Sequence, residues 1–178
     1  MSRIQEKLTF AGGFMLLLCC LSLVLCAQNN TGILRISFNH LANGRPLTLR
    51  DSSYTNAFGE TYRVNKLKYY VGFPQVGDKK VSAKEDYFLV NAAKTEDAIE
   101  LNVPAGEYHS IQFLLGVDSI DNCTGAQTGA LDPMNDMFWT WNSGYIFFKL
   151  EGTSDASPSD LQRIEHHIGG YKSNQQVA

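Results

Sequence analysis

The sequence predicts an all-β fold, an antiparallel β-sandwich, on three observations. Short apolar runs alternate with turn residues along the chain, no segment sustains a helical period between caps, and there is ample apolar surface to bury. Hydrophobic residues make up 44% of the 178 and charged residues 19%, which excludes wholesale disorder. A net charge of −3 without a basic block excludes a nucleic-acid partner, because phosphate contacts need clustered Lys and Arg.

The first element is a leader. Arg3 and Lys7 precede an apolar run from Gly12 to Cys26, which ends at Ala27 before Gln28-Asn29-Asn30. This is the pattern of a secretory signal peptide over residues 1–27, cleaved after Ala27. The run is short for a bilayer and no cluster of positive charge follows it, so no permanent membrane span is expected. Cys20 and Cys26 follow Cys and Leu rather than a small residue, which disfavours a lipidated terminus. The expected product is periplasmic, secreted or on the cell surface.

Removing 27 of 178 residues leaves a single domain of 151, residues 28–178, with Cys123 as its one cysteine. A disulfide framework is thereby excluded, and stability must come from a core.

Strand signals then follow in order. Leu34 to His40 alternates and is expected to form a hairpin with Pro46 to Leu49 across Asn43-Gly44. Further runs are Tyr62 to Phe73, Tyr87 to Asn91, Ile99 to Val103, Tyr108 to Val117 and Tyr145 to Leu150. Turn signals at Gly77-Asp78, Pro104-Ala105-Gly106 and Gly152-Thr153-Ser154 separate them. Asp132 to Phe138 is expected to make a turn of helix, and Thr153 to Asp160 a flexible loop.

Catalytic patterns are missing. There is no nucleophile elbow and no phosphate-cradling glycine loop, and the His-His pair lacks the spacing of a helical zinc protease motif. The chain is therefore not expected to be an enzyme. What remains is a set of imidazoles, thioethers and indoles: His40, His109, His166, His167, Met134, Met137, Trp139 and Trp141. Cys123, in a turn-rich stretch, reads as a spare loop thiol.

Strand parity sorts the imidazoles. Leu34, Ile36, Phe38 and His40 share one face, so His40 ends an inward stripe and needs a partner, either a hydrogen bond or a ligand. His109 shares the parity of Ile111, Phe113 and Leu115 and reads as structural. His166 and His167 point to opposite faces of any regular strand. Parity with Ile164 and Ile168 favours His166 as the inward one, and which of the two binds stays open. Imidazoles converging from distant strands suit Cu(II), with zinc as the alternative on the same ligands. Thioethers would assist Cu(I), and an indole beside a redox metal can itself be oxidised. Asp118, Asp121, Asp132 and Asp136 lack the spacing of a calcium loop and read as turn formers.

These segments resemble the MbnP-like copper-binding domain family, named for a methanobactin-associated periplasmic protein. The resembling pieces are Phe38-Asn39-His40, Lys68-Tyr69-Tyr70-Val71-Gly72, Val103 to Tyr108, Phe113 to Asp118, Met137 to Tyr145, Lys149-Leu150-Glu151-Gly152 and His167-Ile168-Gly169-Gly170. The resemblance implies an exported β-sandwich that binds copper through histidines, with His40 and His167 as ligands and His166 as the geometric rival. It also implies a tryptophan oxidised to kynurenine by a di-haem peroxidase-like (MbnH-type) partner. Some relatives place that tryptophan two residues before a histidine. Here the position is Phe38, which cannot become kynurenine, so a modified ligand requires Trp139 or Trp141. Family members continue past the His-Ile-Gly-Gly motif with more strands, so the sandwich is expected to lack its last strands in this chain. The competing reading is a structural or ligand-binding sandwich without metal, in which every one of these residues has a core or turn role.

Overall fold

The structure is a computed structural model that describes residues 31–77, 79–80, 85–94, 98–140 and 144–170. The expected leader and Trp141 lie outside the described residues. The chain divides into two compact units, Met1–Gly32 with Pro104–Gly106, and Ile33–Val103 with Glu107–Ala178. Of the first, the described residues are one end of β1 (Thr31–Ser37), one end of β8 (Ala98–Pro104) and the turn after it. The second unit holds the sheet and every candidate side chain described.

Its centre is β5 (Thr61–Val76), a 16-residue strand that serves as the spine of an eight-stranded sheet. One edge of β5 pairs with β4 (Tyr54–Thr55), β7 (Tyr87–Asn91) and β6 (Lys79–Lys80). The other pairs with β9 (Ile111–Leu115) and β11 (Gly144–Ser154). β11 in turn carries β10 (Phe138–Trp139) and β12 (Arg163–Gly169), all antiparallel. β2 (Leu41–Ala42) and β3 (Arg45–Pro46) form a small separate hairpin.

A strand can bear apolar residues on both faces only if both faces are covered. The run Lys68-Tyr69-Tyr70-Val71 in β5 meets that condition: Tyr70 and Val71, on opposite faces, are both buried. On one face the β1–β8 ribbon packs Leu34, Ile36 and Phe38 with Ile99, Leu101 and Val103 against Val71 and Val90. On the other, the segment from Val117 to Trp139 folds over Tyr70, Tyr145 and Phe147, bringing Leu131 and Met137 into the core. The molecule is thus the all-β sandwich that the sequence predicts, with a coil in place of strands over part of one face.

That coil is held by short-range polar bonds. Asp118 caps a five-residue helix, α1 (Ser119–Cys123), by accepting from the Asp121 backbone at 2.8 Å. The buried Asn122 accepts from the Tyr145 backbone at 2.7 Å, and the Tyr145 hydroxyl donates to the Leu131 carbonyl at 2.9 Å. The turn expected within Asp132 to Phe138 is a 3-10 turn at Pro133–Asn135, capped by Asp132.

Three expectations need correction. β1 ends at Ser37 and pairs with β8, so the Asn43-Gly44 turn joins β2 to β3 and not the long strand to its neighbour. β9 begins at Ile111, not Tyr108, and its Ile111, Phe113 and Leu115 are exposed. α1 and β12 were not marked as elements by the sequence pattern. Among the described residues no helix is long and apolar enough to cross a membrane.

Candidate metal centre

Register decides which of the candidate side chains can meet. Across β5, β11 and β12, Tyr69, Phe148 and Ile168 form one row and Lys68, Lys149 and His167 the next. Successive strand residues point to opposite faces, so these rows face opposite ways. The Tyr69 ring stacks on Phe148 with centroids 6.2 Å apart, and its hydroxyl meets His40 Nε2 at 3.0 Å. His40 therefore lies on the ribbon-covered face and His167 on the face under the coil. The structure does not bring the two imidazoles together.

His166 lies on the same face as Tyr69, in the row of Leu67 and Leu150. It is exposed in an open groove of about 510 Å³ lined by Leu150, Ile164, Tyr62 and Pro158. His109 is exposed, as is the free thiol of Cys123.

His167 is the half-buried member of the pair, and its surroundings are charged. Its Nε2 lies 2.9 Å from Glu151 Oε1. The other oxygen of Glu151 takes Lys66 Nζ at 3.0 Å, and Lys149 Nζ lies 3.8 Å from Oε1. Lys66 and Lys149 also grip the Asp136 carboxylate at 2.8 and 3.0 Å, and Lys149 donates to the Asp136 carbonyl as well. Lys68 donates to the Asn135 carbonyl at 2.9 Å. Three lysines from the sheet thus fasten one turn of the coil, in which Asp136 adopts a left-handed conformation at φ 61°.

The electrostatic consequences follow from these distances. Burial would raise the Asp136 carboxyl, but the Lys66 and Lys149 ammonium groups outweigh it and bring it down to about 2. Burial opposes ionisation of Glu151 in the same way and is likewise outweighed, by Lys66, His167 and Lys149, so its pKa is lowered. Desolvation pulls Lys68 down, whereas in Lys66 the two carboxylates overcome desolvation and raise it. Lys149, with its side chain only 4% exposed, is a buried cation that both carboxylates neutralise.

The fastened turn leads directly into Met137, Phe138 and Trp139. Met137 is fully buried and belongs to the core, whereas Met134 is 89% exposed. Trp139 pairs with Gly144 in β10–β11, and its six-membered ring reaches Gly169 of β12. A Cβ on Gly169 would lie 2.3 Å from the Tyr145 carbonyl oxygen and 3.0 Å from Trp139 Cζ3, so glycine is required by the backbone of β11 and leaves room for the indole beside it. Gly169 is two residues beyond His167, on the same face of the strand. Trp139 and His167 are thus neighbours along one face, and Trp141 lies outside the described residues.

The remaining aspartates have the turn roles expected of them: Asp118 and Asp132 cap, and Asp121 accepts from the Tyr87 hydroxyl at 2.9 Å. Asp136 departs from that reading as the anchor of the coil. Glu151 and its lysines were missed among the candidates. Their signal was present as Lys66-x-Lys68 and Lys149-x-Glu151, charges two apart within otherwise apolar strands.

As a copper site the donor set is incomplete. Among the described residues no group of three or more His, Cys, Asp or Glu side chains could hold a metal ion. Glu151 and Asp136 have their oxygens committed to lysines, which leaves the His167 imidazole and the exposed Glu165 carboxylate as the donors that β12 brings to this face among the described residues.

The fold has a counterpart among solved structures. MbnP from Methylosinus trichosporium is similar at 16% identity and a TM-score of 0.58, over 78% of this chain and 62% of that one. At that identity the likeness concerns the fold, and the chain spans less than two-thirds of that relative's length. None of the curated proteins matches. The model of the MbnP family matches residues 31–178, most of the sequence. The chain therefore belongs to the MbnP family.

Proposed function

We propose that this chain is an exported copper-binding protein rather than an enzyme, and that it takes its ion on the face of the sheet that carries His167. The observation that carries this reading is the 2.9 Å contact between His167 and Glu151 beside Trp139, in a chain of the MbnP family. A metal-ligating imidazole characteristically gives its second nitrogen to a carboxylate, which fixes the ring and raises its basicity. His166, exposed in its groove, has no carboxylate partner of that kind among the described residues. Trp139 or Trp141 would be the residue oxidised by a di-haem peroxidase-like partner, and the seat of the Trp139 ring against Gly169, two residues from His167, supports Trp139. Copper, once bound, supplies redox chemistry next to an indole; the chain itself holds the imidazole and shields it under the coil.

Stoichiometric titration of the purified chain with Cu(II) and Cu(I) tests the proposal. Tight binding that is lost in His167→Ala supports it, and no tight binding by the unmodified sequence overturns it. The second reading, a sandwich without metal, is favoured by the incomplete donor set. It predicts an unchanged melting temperature in excess copper, because a ligand of the folded state must raise stability.

A further inference from the structure

We propose that Glu151 is a positioning residue: it fixes the His167 proton on Nε2, so that Nδ1 is the nitrogen presented to a metal ion. The inference deepens the copper reading and rests on it for the identity of the ion, but the tautomer itself follows from the ion pairs on β11.

Glu151 sits between two ammonium groups, with Lys66 at 3.0 Å from one oxygen and Lys149 at 3.8 Å from the other. A carboxylate so placed is ionised, and an ionised carboxylate only accepts hydrogen bonds. The hydrogen of the 2.9 Å contact must then belong to His167 Nε2. A neutral imidazole carries one proton, so Nδ1 keeps its lone pair. Among the described residues no hydrogen bond reaches Nδ1.

Strand geometry explains why Glu151 can do this. Its direct partner across the ladder is Glu165, whereas His167 stands opposite Lys149, one row away on the same face. The glutamate side chain therefore reaches diagonally to the imidazole, a separation that long side chains span. Lys66 on the far strand holds it from the other side, so the carboxylate is pinned before any ion arrives. The Tyr69 hydroxyl facing His40 can donate or accept, and His166 makes no hydrogen bond among the described residues. The sequence treats His166 and His167 as rivals, and the carboxylate distinguishes them.

The test uses the full chain labelled with ¹⁵N and free of metal. A long-range proton–nitrogen correlation of the imidazoles is recorded at a pH of about 8, above the ordinary histidine value of about 6.5. The expected result is a protonated Nε2 and an unprotonated Nδ1 at His167, with a slowly exchanging Nε2–H that is lost to exchange in Glu151→Ala. A proton on Nδ1, or the same slow exchange in Glu151→Ala, overturns the inference. Cu(II) titration then separates the two claims. Glu151→Gln, which keeps the side-chain volume, should weaken copper about 10–100-fold with His167 intact. Copper held through Nε2 overturns the positioning role and leaves copper binding intact. The expected tautomer in a chain that takes up no copper overturns the copper reading and leaves the assignment of the proton standing. The measurement on the unmodified chain decides the tautomer even where a variant fails to fold.

Discussion

His40 and His167 lie on opposite faces of one sheet, His40 bonded to the Tyr69 hydroxyl at 3.0 Å and His167 to the Glu151 carboxylate at 2.9 Å. One ion cannot draw on both, so their substitution should have different effects. His167→Ala is expected to abolish copper binding with little change in stability, because the ring is partly exposed. His40→Ala should keep copper affinity within about twofold and cost about 1 kcal/mol, the worth of one ordinary hydrogen bond. Parallel copper titrations and urea midpoints check both. Equal loss of copper in the two variants would contradict the separation of the faces.

The sequence was most legible where burial repeats at a fixed period. β7 begins and ends where its apolar run does, and β5 and β8 extend only a few residues beyond theirs, because β5 and β7 meet a core on both faces and β8 alternates strictly between buried and exposed residues. β12 was harder to see. Its Glu165-His166-His167 centre is polar on both faces, since one face is open to solvent and the other is covered by charge rather than by apolar side chains. The partner of β1 was illegible for another reason. An Asn-Gly turn is a local signal, whereas β1–β8 pairing joins residues more than 60 apart, which no short window records. The site was half legible in the same sense. His167 and Trp139 could be named from residue type, but their alignment with Glu151 depends on the register of β11 with β12.

Acid should loosen the coil before it unfolds the sheet. Asp136 falls from an ordinary value of 3.8 to about 2 on folding, and Glu151 is lowered as well. A carboxylate with a depressed folded value contributes stability that is complete above its unfolded value and is lost as the pH falls through the folded one. Stability should therefore be flat above a pH of about 5 and decline between about pH 4 and pH 2. Because the Asp136 side chain is 54% exposed, solvent screens the effect and the loss is a fraction of what the shift alone would imply. Denaturation midpoints against pH, for the unmodified chain and Asp136→Asn, test this. The variant should show a flatter acid limb and a lower plateau.

Gly169 should be intolerant of any side chain. A Cβ there would lie 2.3 Å from the Tyr145 carbonyl and 3.0 Å from Trp139. The backbone atom cannot yield as a flexible side chain could, so β12 must shift against β11 and disturb the seat of the indole. Gly169→Ala is expected to cost about 1–3 kcal/mol, as overpacking usually does. Measured in a Trp141→Phe background, the fluorescence of Trp139 should shift to longer wavelength as water reaches it. An unchanged spectrum and midpoint would show that the indole is not seated on that glycine.

Resemblance alone would mark Tyr70 as untouchable. Tyr70 stands in the Lys-Tyr-Tyr-Val-Gly stretch at the centre of β5, fully buried, and its hydroxyl has no hydrogen-bond partner among the described residues. Burial accordingly raises its pKa, with the nearby Tyr145 and Asp132 adding to the effect. The ring earns its place through packing, edge-on to Tyr145 with centroids 6.1 Å apart. The oxygen contributes only its desolvation, roughly 1–3 kcal/mol when nothing compensates it. Tyr70→Phe keeps the ring and removes the oxygen, so it should stabilise the chain by about 1 kcal/mol after some loss of close contact around the vacated position. Tyr145→Phe is the control: its hydroxyl donates to Leu131 and accepts from Gln127, and removing it leaves both backbone groups without a partner. That variant should lose stability where the first gains it. Thermal midpoints of the two, recorded without copper, carry the comparison, and a destabilised Tyr70→Phe would mean that the hydroxyl has a bonded partner in solution.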